Sequence, residues 1–253
     1  MTTLVKLGGS AITDKDRAET LDGASLDSAV DAIANALERG DLEELIVVHG
    51  GGSFGHVHAS EHGVTTTDGS TDVAAVHDIH TAMKTLNGFV LSRLLERGVP
   101  AVPIHPFSCA TRGVDGRLTL ETSPIDTLVS EGFVPVLHGD VVAHERKGVT
   151  ILSGDELITE LATSIETERI GLCSTVPGVL DESDAVIDRI ERYEDVAHVL
   201  GASESTDVTG GMAEKVRALL ELDGSAEIFA VEGLSAFLAG VNPGTTICGS
   251  SLE

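Results

Sequence analysis

Residues 45–59 read LIVVHGGGSFGHVHA. The apolar run at 45–48 has the length and branching of a strand buried on both faces, as in a parallel sheet. Three glycines follow at once. Glycines after a strand suggest a phosphate, because backbone N–H groups without side chains can approach an anion closely and surround it. His56, four residues past the last glycine, adds a side chain that a phosphate-cradling loop does not itself require.

The same alternation extends in both directions. Strands are expected at 3–7, 100–104, 133–138, 169–173, 227–231 and 245–248, the last as a closing edge strand. Residues 26–38 place Leu26, Val30, Ile33, Ala34 and Leu37 at helical spacing. Further helices are predicted over 72–96, 122–132, 154–165, 211–222 and 234–239. An Asp-Gly turn within 113–121 and Lys147-Gly148 each predict a hairpin. After the loop at 8–10, polar residues continue to about 24. Strand and helix in this order imply an α/β fold, an open sandwich with a mainly parallel central sheet covered on both faces. No repeat, low-complexity tract or linker divides residues 1–253, and a soft boundary near 168 separates 1–168 from 169–253.

The chain has 253 residues and a formal net charge of −25. Such acidity argues against nucleic acid and anionic membranes as partners. The 41 acidic residues against 16 basic ones read either as a solvated acidic face of no special meaning or as adaptation to a salt-rich cytoplasm, where screening tolerates self-repulsion; that lysines are the minority of the basic residues favours the second. Cys109, Cys173 and Cys248 are far apart and show neither metal-ligand spacing nor a disulfide framework. The start of the chain lacks a signal-type apolar region, and no apolar run reaches the ~20 residues of a membrane span. A cytoplasmic location is expected.

Scarce lysines are informative. Lys6 precedes Gly8-Gly9, Lys15 closes the same loop, and Lys215 follows Gly210-Gly211, whereas Lys84 and Lys147 read as surface charges. The loops 6–10, 49–56, 152–156 and 207–215 fall at strand ends or helix starts, where ligands of parallel sheets bind. None fits a Walker P-loop or a complete dinucleotide fingerprint. Phosphoryl transfer needs mainly positive charge and hydrogen-bond donors around the transferring group, which Lys6 and Lys15 can supply. Asp155 is either a helix cap or the holder of those lysines, and Lys215 either an exposed helix residue or a nucleotide contact. For His56, a nucleophilic triad is disfavoured, because Ser10 and Ser53 lack the G-x-S-x-G elbow. Zinc is disfavoured too: His58 and His62 lack the acid of H-E-x-x-H and no cysteine is near. A structural histidine and a donor to an anionic substrate remain.

The segments VKLGGSAITDK, VVHGGGSFGH, HGDVV, LSGDELI and DVTGGMAEKV resemble, in this order, the amino acid kinase superfamily, and within it the archaeal isopentenyl phosphate kinases. The resemblance covers residue 3 to about 248, and a histidine in the GGGSFGH loop is its most specific element. It implies a homodimer that uses ATP and Mg²⁺ to phosphorylate a phosphate monoester, isopentenyl phosphate or also dimethylallyl phosphate, for isoprenoid synthesis. By the same resemblance Lys6, Leu7, Gly8, Gly9, Ser10 and Gly52 contact ATP phosphates, Gly211 and Lys215 bind ATP from the nucleotide half, and Thr175 lies in the segment that borders its base or ribose. Lys15 stabilises the transferring group and Asp155 orients the lysines. Gly51 and His56 hold the substrate phosphate, with His56 counted as catalytic, and Gly154 lines the substrate pocket. No metal ligand on the chain is implied. One departure is STVPGVL at 174–180, where Thr175 and Pro177 replace aspartates that relatives often carry. For the substrate tail, Ile79, Met83, Leu86 and Val90 of the 72–96 helix are the candidate wall, or ordinary core. Two rival readings are a kinase of another small acceptor (a phosphonate or acylamino acid) and a non-catalytic nucleotide-sensing domain.

Overall fold

The structure, a computed structural model, describes residues 2–200 and 211–249. The chain runs β1 (Thr2–Leu7), α1 (Gly9–Ile12), α2 (Gly23–Arg39), β2 (Glu44–His49), α3 (Gly52–Glu61), α4 (Val73–Glu96), β3 (Ala101–Pro103), β4 (Ala110–Arg112), β5 (Leu118–Leu120), α5 (Ser123–Ser130) and β6 (Val134–His138). It continues with β7 (Asp140–His144), β8 (Gly148–Leu152), α6 (Gly154–Ser164), β9 (Thr167–Ser174), β10 (Arg189–Ile190), α7 (Ala197–Leu200), α8 (Gly211–Leu220), β11 (Ser225–Ala230), α9 (Leu234–Leu238) and β12 (Thr245–Cys248). Eight strands form one sheet in the order β10-β12-β11-β9-β1-β2-β6-β3, and β5-β4-β7-β8 form a second. All pairings in the large sheet are parallel except β11 with β12. Both expected hairpins form, β4–β5 and β7–β8.

The middle of the sheet explains the site. In β1 every residue is buried, and the period of two sends neighbours to opposite faces. Leu4 joins the core formed with Ile46, Ile170, Leu157 and Leu161. Val5 and Leu7 join the opposite core, with Leu26, Val30, Leu86 and Val90. Each such fully buried aliphatic side chain stabilises by about 1.5–3 kcal/mol. Lys6 follows the parity of Leu4, so its side chain emerges on the face covered by α6. An interior lysine on a central strand is otherwise costly, and α6 supplies its counter-ion.

Three segments depart from the sequence expectation. Residues 245–248 are not an edge: β12 lies between β10 and β11, and the edge is β10, whose two residues are too few to show a periodic pattern. The polar stretch after the first glycine loop contains α1 and an antiparallel bridge between Thr13 and Leu21. Residues 52–61 form α3, which the glycines and histidines of its sequence conceal. The 207–210 part of the fourth motif lies outside the described residues.

Candidate active site

The carboxyl ends of β1, β2, β6 and β9 open onto one cleft. Its wall includes Lys6, Gly8, Gly9, Ser10, Lys15, Gly51, His56, Gly154, Asp155, Thr175 and Lys215. Residues expected from three separate loops and the start of α8 therefore meet. Leu7, Gly52 and Gly211 do not line this cleft. Leu7 is fully buried in the core, because its side chain takes the parity opposite to Lys6.

The glycines do two different things. The first glycine of each loop extends the sheet: Gly8 N–H donates to Cys173 O at 2.8 Å, Gly50 N–H to Leu7 O at 3.0 Å, and Gly139 N–H to His49 O at 2.9 Å. The second use is contact between loops. A Cβ on Gly9 would lie 2.1 Å from Gly52 N, and one on Gly52 would lie 2.1 Å from Thr13 Oγ1. Gly52 also has φ of +48°, a conformation that favours glycine. Gly52 is thus packed behind Gly9, and its expected phosphate contact is not on the cleft wall.

Asp155 sits in the first turn of α6 but is not its cap. Ser153 caps the helix, accepting from Glu156 N–H, and Glu156 returns the bond to Ser153 N–H, a complete capping box. Asp155 is left to face the cleft, where its Oδ1 lies 2.7 Å from Lys6 Nζ and its Oδ2 lies 3.7 Å from Lys215 Nζ. The three side chains are 7%, 17% and 18% exposed for Lys6, Asp155 and Lys215. Burial pushes the Asp155 carboxyl up, but the ammoniums of Lys6 and then Lys215 outweigh it and hold the group below its ordinary 3.8. Two cations share one anion, leaving net positive charge in the cleft. Lys15 is exposed at the rim.

His56 is half-buried on α3 and lines the cleft with Ala59, one turn further on. Ile79 and Met83 of α4 and Ile151 and Leu152 of β8 complete an apolar part of the wall. Leu86 and Val90 are fully buried core. The other histidines near His56 in sequence are engaged elsewhere: His58 pairs with Glu19 and His62 with Asp78. Cys109, Cys173 and Cys248 are free thiols, and burial, its largest cause, pushes Cys173 up to about 12.

Two polar features escaped the sequence reading. His49 and His138, paired in register at the ends of β2 and β6, are both fully buried. Asp140, also buried, lines the cleft and is bonded to His80 Nδ1 at 2.9 Å. Burial raises its carboxyl, and His80 offsets that in part. The recurrence of His-Gly at the ends of two apolar runs, 49–50 and 138–139, was the available signal.

Comparison with known proteins defines the class. Residues 1–228 match the model of the amino acid kinase family, and the chain belongs to that family. It is 55% identical to the isopentenyl phosphate kinase of Haloferax volcanii over 246 residues, covering 97% of this chain and 98% of that protein. The isopentenyl phosphate kinase of Methanocaldococcus jannaschii is 33% identical over 85% of each chain. A crystal structure of an isopentenyl phosphate kinase superposes with a TM-score of 0.83 at 28% identity, covering 97% of this chain and 98% of that one.

Proposed function

We infer that the chain transfers the γ-phosphoryl group of ATP to isopentenyl phosphate, giving isopentenyl diphosphate and ADP for isoprenoid synthesis. The observation that carries this reading is that one cleft is lined by the Lys6–Asp155–Lys215 cluster, by His56 and by the apolar Ala59, Ile79, Met83 and Ile151. A charged phosphate and a short apolar tail both find surroundings that suit them, as the names of the similar kinases lead one to expect.

In the proposed mechanism Lys6 and Lys215 offset the charge on the transferring group, and Asp155 fixes both ammoniums without neutralising them. Gly8, Gly9 and Ser10 border the ATP phosphates, Thr175 borders the base or ribose of the nucleotide, and Lys15 reaches the transferring group from the rim. Gly51 and His56 hold the acceptor phosphate beside Gly154. Its oxygen attacks in line, with no covalent intermediate on the protein. The tail lies against Ala59, Ile79 and Met83, and dimethylallyl phosphate, of the same size, is also accepted. Among the described residues no cluster of three or more His, Cys, Asp or Glu could hold a metal. Both Asp155 oxygens face ammoniums, so Mg²⁺ would be carried by the ATP phosphates, to which it adds charge neutralisation. A homodimer in the cytoplasm is the proposed setting; among the described residues no helix is long and apolar enough to cross a membrane.

The test offers purified protein, in high salt, ATP-Mg²⁺ with isopentenyl phosphate, fosfomycin, N-acetylglutamate and UMP in parallel. Turnover of isopentenyl phosphate above the others is expected. Turnover of another acceptor instead, or of none, would replace this reading by the related kinase or the nucleotide sensor.

A further inference from the structure

Neither His49 nor His138 is on the cleft wall, yet each is fully buried and directly precedes a glycine that is, Gly50 and Gly139. His49 Nδ1 lies 3.1 Å from Gly50 O, and His138 Nδ1 lies 2.9 Å from Gly139 O. A carbonyl oxygen only accepts, so each Nδ1 carries the proton. The other ring nitrogens then accept. His138 Nε2 is 2.8 Å from His105 Nδ1, which must donate. His49 Nε2 is 3.2 Å from Asn87 Oδ1, while the Nδ2 of the buried Asn87 lacks a partner. Turning that amide by half a rotation gives Nε2 its donor and pairs Nδ2 at once. Burial, the largest cause in each case, depresses both imidazoles, His49 to about 4 and His138 well below its ordinary value. The rings are therefore neutral at physiological pH, and these tautomers persist.

The consequence lies in the next peptide. In a trans peptide the C=O and the following N–H point in opposite directions. Gly50 O is turned toward the buried His49 ring, so Gly51 N–H is turned away from it. Gly50, Gly51 and Gly139 all line the cleft. Gly51 precedes α3, and its N–H donates none of the backbone hydrogen bonds among the described residues, while its C=O accepts from Phe54 and Gly55. His144 makes the same bond to Glu145 O at 2.6 Å. The bond itself is thus a habit of histidine in extended backbone, and its effect at residues 50 and 139 comes from where those carbonyls lie. A carbonyl oxygen facing the cleft would repel an anion there, and it would take the N–H with it.

We propose that His49 and His138 are positioning residues for the acceptor phosphate: their Nδ1–H groups hold the carbonyls of Gly50 and Gly139 turned into the protein, His49 so that Gly51 N–H is presented to that phosphate and His138 so that the carbonyl oxygen of Gly139 does not face it. This rests on the functional reading above for the identity of the acceptor, but not for the direction of the Gly51 N–H.

The test exploits side-chain geometry. The Nδ2 of asparagine stands where histidine has Nδ1; the Nε2 of glutamine stands where histidine has Nε2. His49→Asn and His138→Asn therefore keep the donor to the carbonyl, and His49→Gln and His138→Gln lose it. The Gln variants are expected to raise KM for isopentenyl phosphate roughly tenfold or more, the scale of one hydrogen bond to a charged group. The Asn variants should stay within about threefold, and KM for ATP should move little in all four. Equal acceptor KM in Asn and Gln variants of matched Tm overturns the proposal. Should the variants not fold, the wild-type ¹⁵N spectrum decides: the Gly51 amide proton moves downfield on adding isopentenyl phosphate, or inorganic phosphate alone, without nucleotide. A Gly51 resonance unmoved by either overturns it. A wild type that fails to turn over isopentenyl phosphate while its Gly51 amide answers inorganic phosphate would sink the functional reading and leave the positioning role standing.

Discussion

Asp155→Asn removes one charge and almost no volume, which isolates the electrostatic role of the residue. In the native cleft Asp155 stands 2.7 Å from Lys6 Nζ and 3.7 Å from Lys215 Nζ. Without its charge, two ammoniums approach each other with no anion between them, and Lys6 is a buried cation on a central strand. Removing one partner of a buried pair costs about 3–5 kcal/mol. Because 17% of the Asp155 side chain is exposed to the cleft, solvent screening lowers this to roughly 2 kcal/mol. On the proposed mechanism catalysis should lose more than folding does, since it has Lys6 and Lys215 fixed where charge develops. Loss of one preorganised electrostatic group is worth about 2.7 kcal/mol or more in the barrier, or about 100-fold in kcat. Steady-state ADP release at saturating ATP and isopentenyl phosphate measures this, and urea unfolding measures the stability. The acid dependence has a definite sign. The carboxyl is held below its ordinary 3.8, so its stabilisation is present above that value and is lost as pH falls through the lower, folded one. The stability gap between wild type and variant should therefore be constant near neutrality and narrow only below 3.8. A variant with kcat within about threefold of wild type would refute the assignment of Asp155 as organiser of the lysines.

His56→Ala should raise KM for isopentenyl phosphate far more than KM for ATP, and equal effects on both would make the histidine structural. Gly9→Ala places a Cβ 2.1 Å from the backbone of Gly52, so calorimetry should show a large drop in Tm, by more than the 1–3 kcal/mol usual for overpacking. Gly55→Ala meets only the flexible end of Met83, at 2.7 Å from Sδ. It should leave Tm nearly intact while changing acceptor KM, because Met83 lines the cleft. With a net charge of −25, the fold should gain stability steadily between 0.1 and 2 M KCl, as screening removes self-repulsion; a flat urea midpoint over that range would refute it.

What could be read in advance depended on how local the determining physics was. The central strands, α2, α4 and α6 were legible because burial imposes a period on them: Leu26, Val30 and Ile33 for one helix, the unbroken apolar run of β2 for the sheet. Lys6 and Asp155 were legible as candidates, but their pairing rests on the parity of β1, which brings one lysine to the α6 side. Sequence could not separate cap from lysine holder because the cap is Ser153, whose capping box with Glu156 leaves Asp155 to pair with Lys6 and Lys215. α3 was hidden because its glycines and histidines serve contacts outside the helix, so no apolar stripe remains. His49 and His138 were hidden because each is ordinary in its own strand and gains meaning only from the neighbouring one. The glycines show the limit most sharply. Gly51 and Gly52 are adjacent and chemically identical, yet one faces the cleft and the other fills the space behind Gly9. A glycine marks a backbone that something approaches within the radius of a methyl group. Whether that something is an anion or a second loop is decided by atoms from a distant part of the chain, here Gly9 and Thr13. A cluster of glycines is therefore evidence of close approach first, and evidence of a phosphate only at those positions whose N–H the sheet and the opposing loop leave unused.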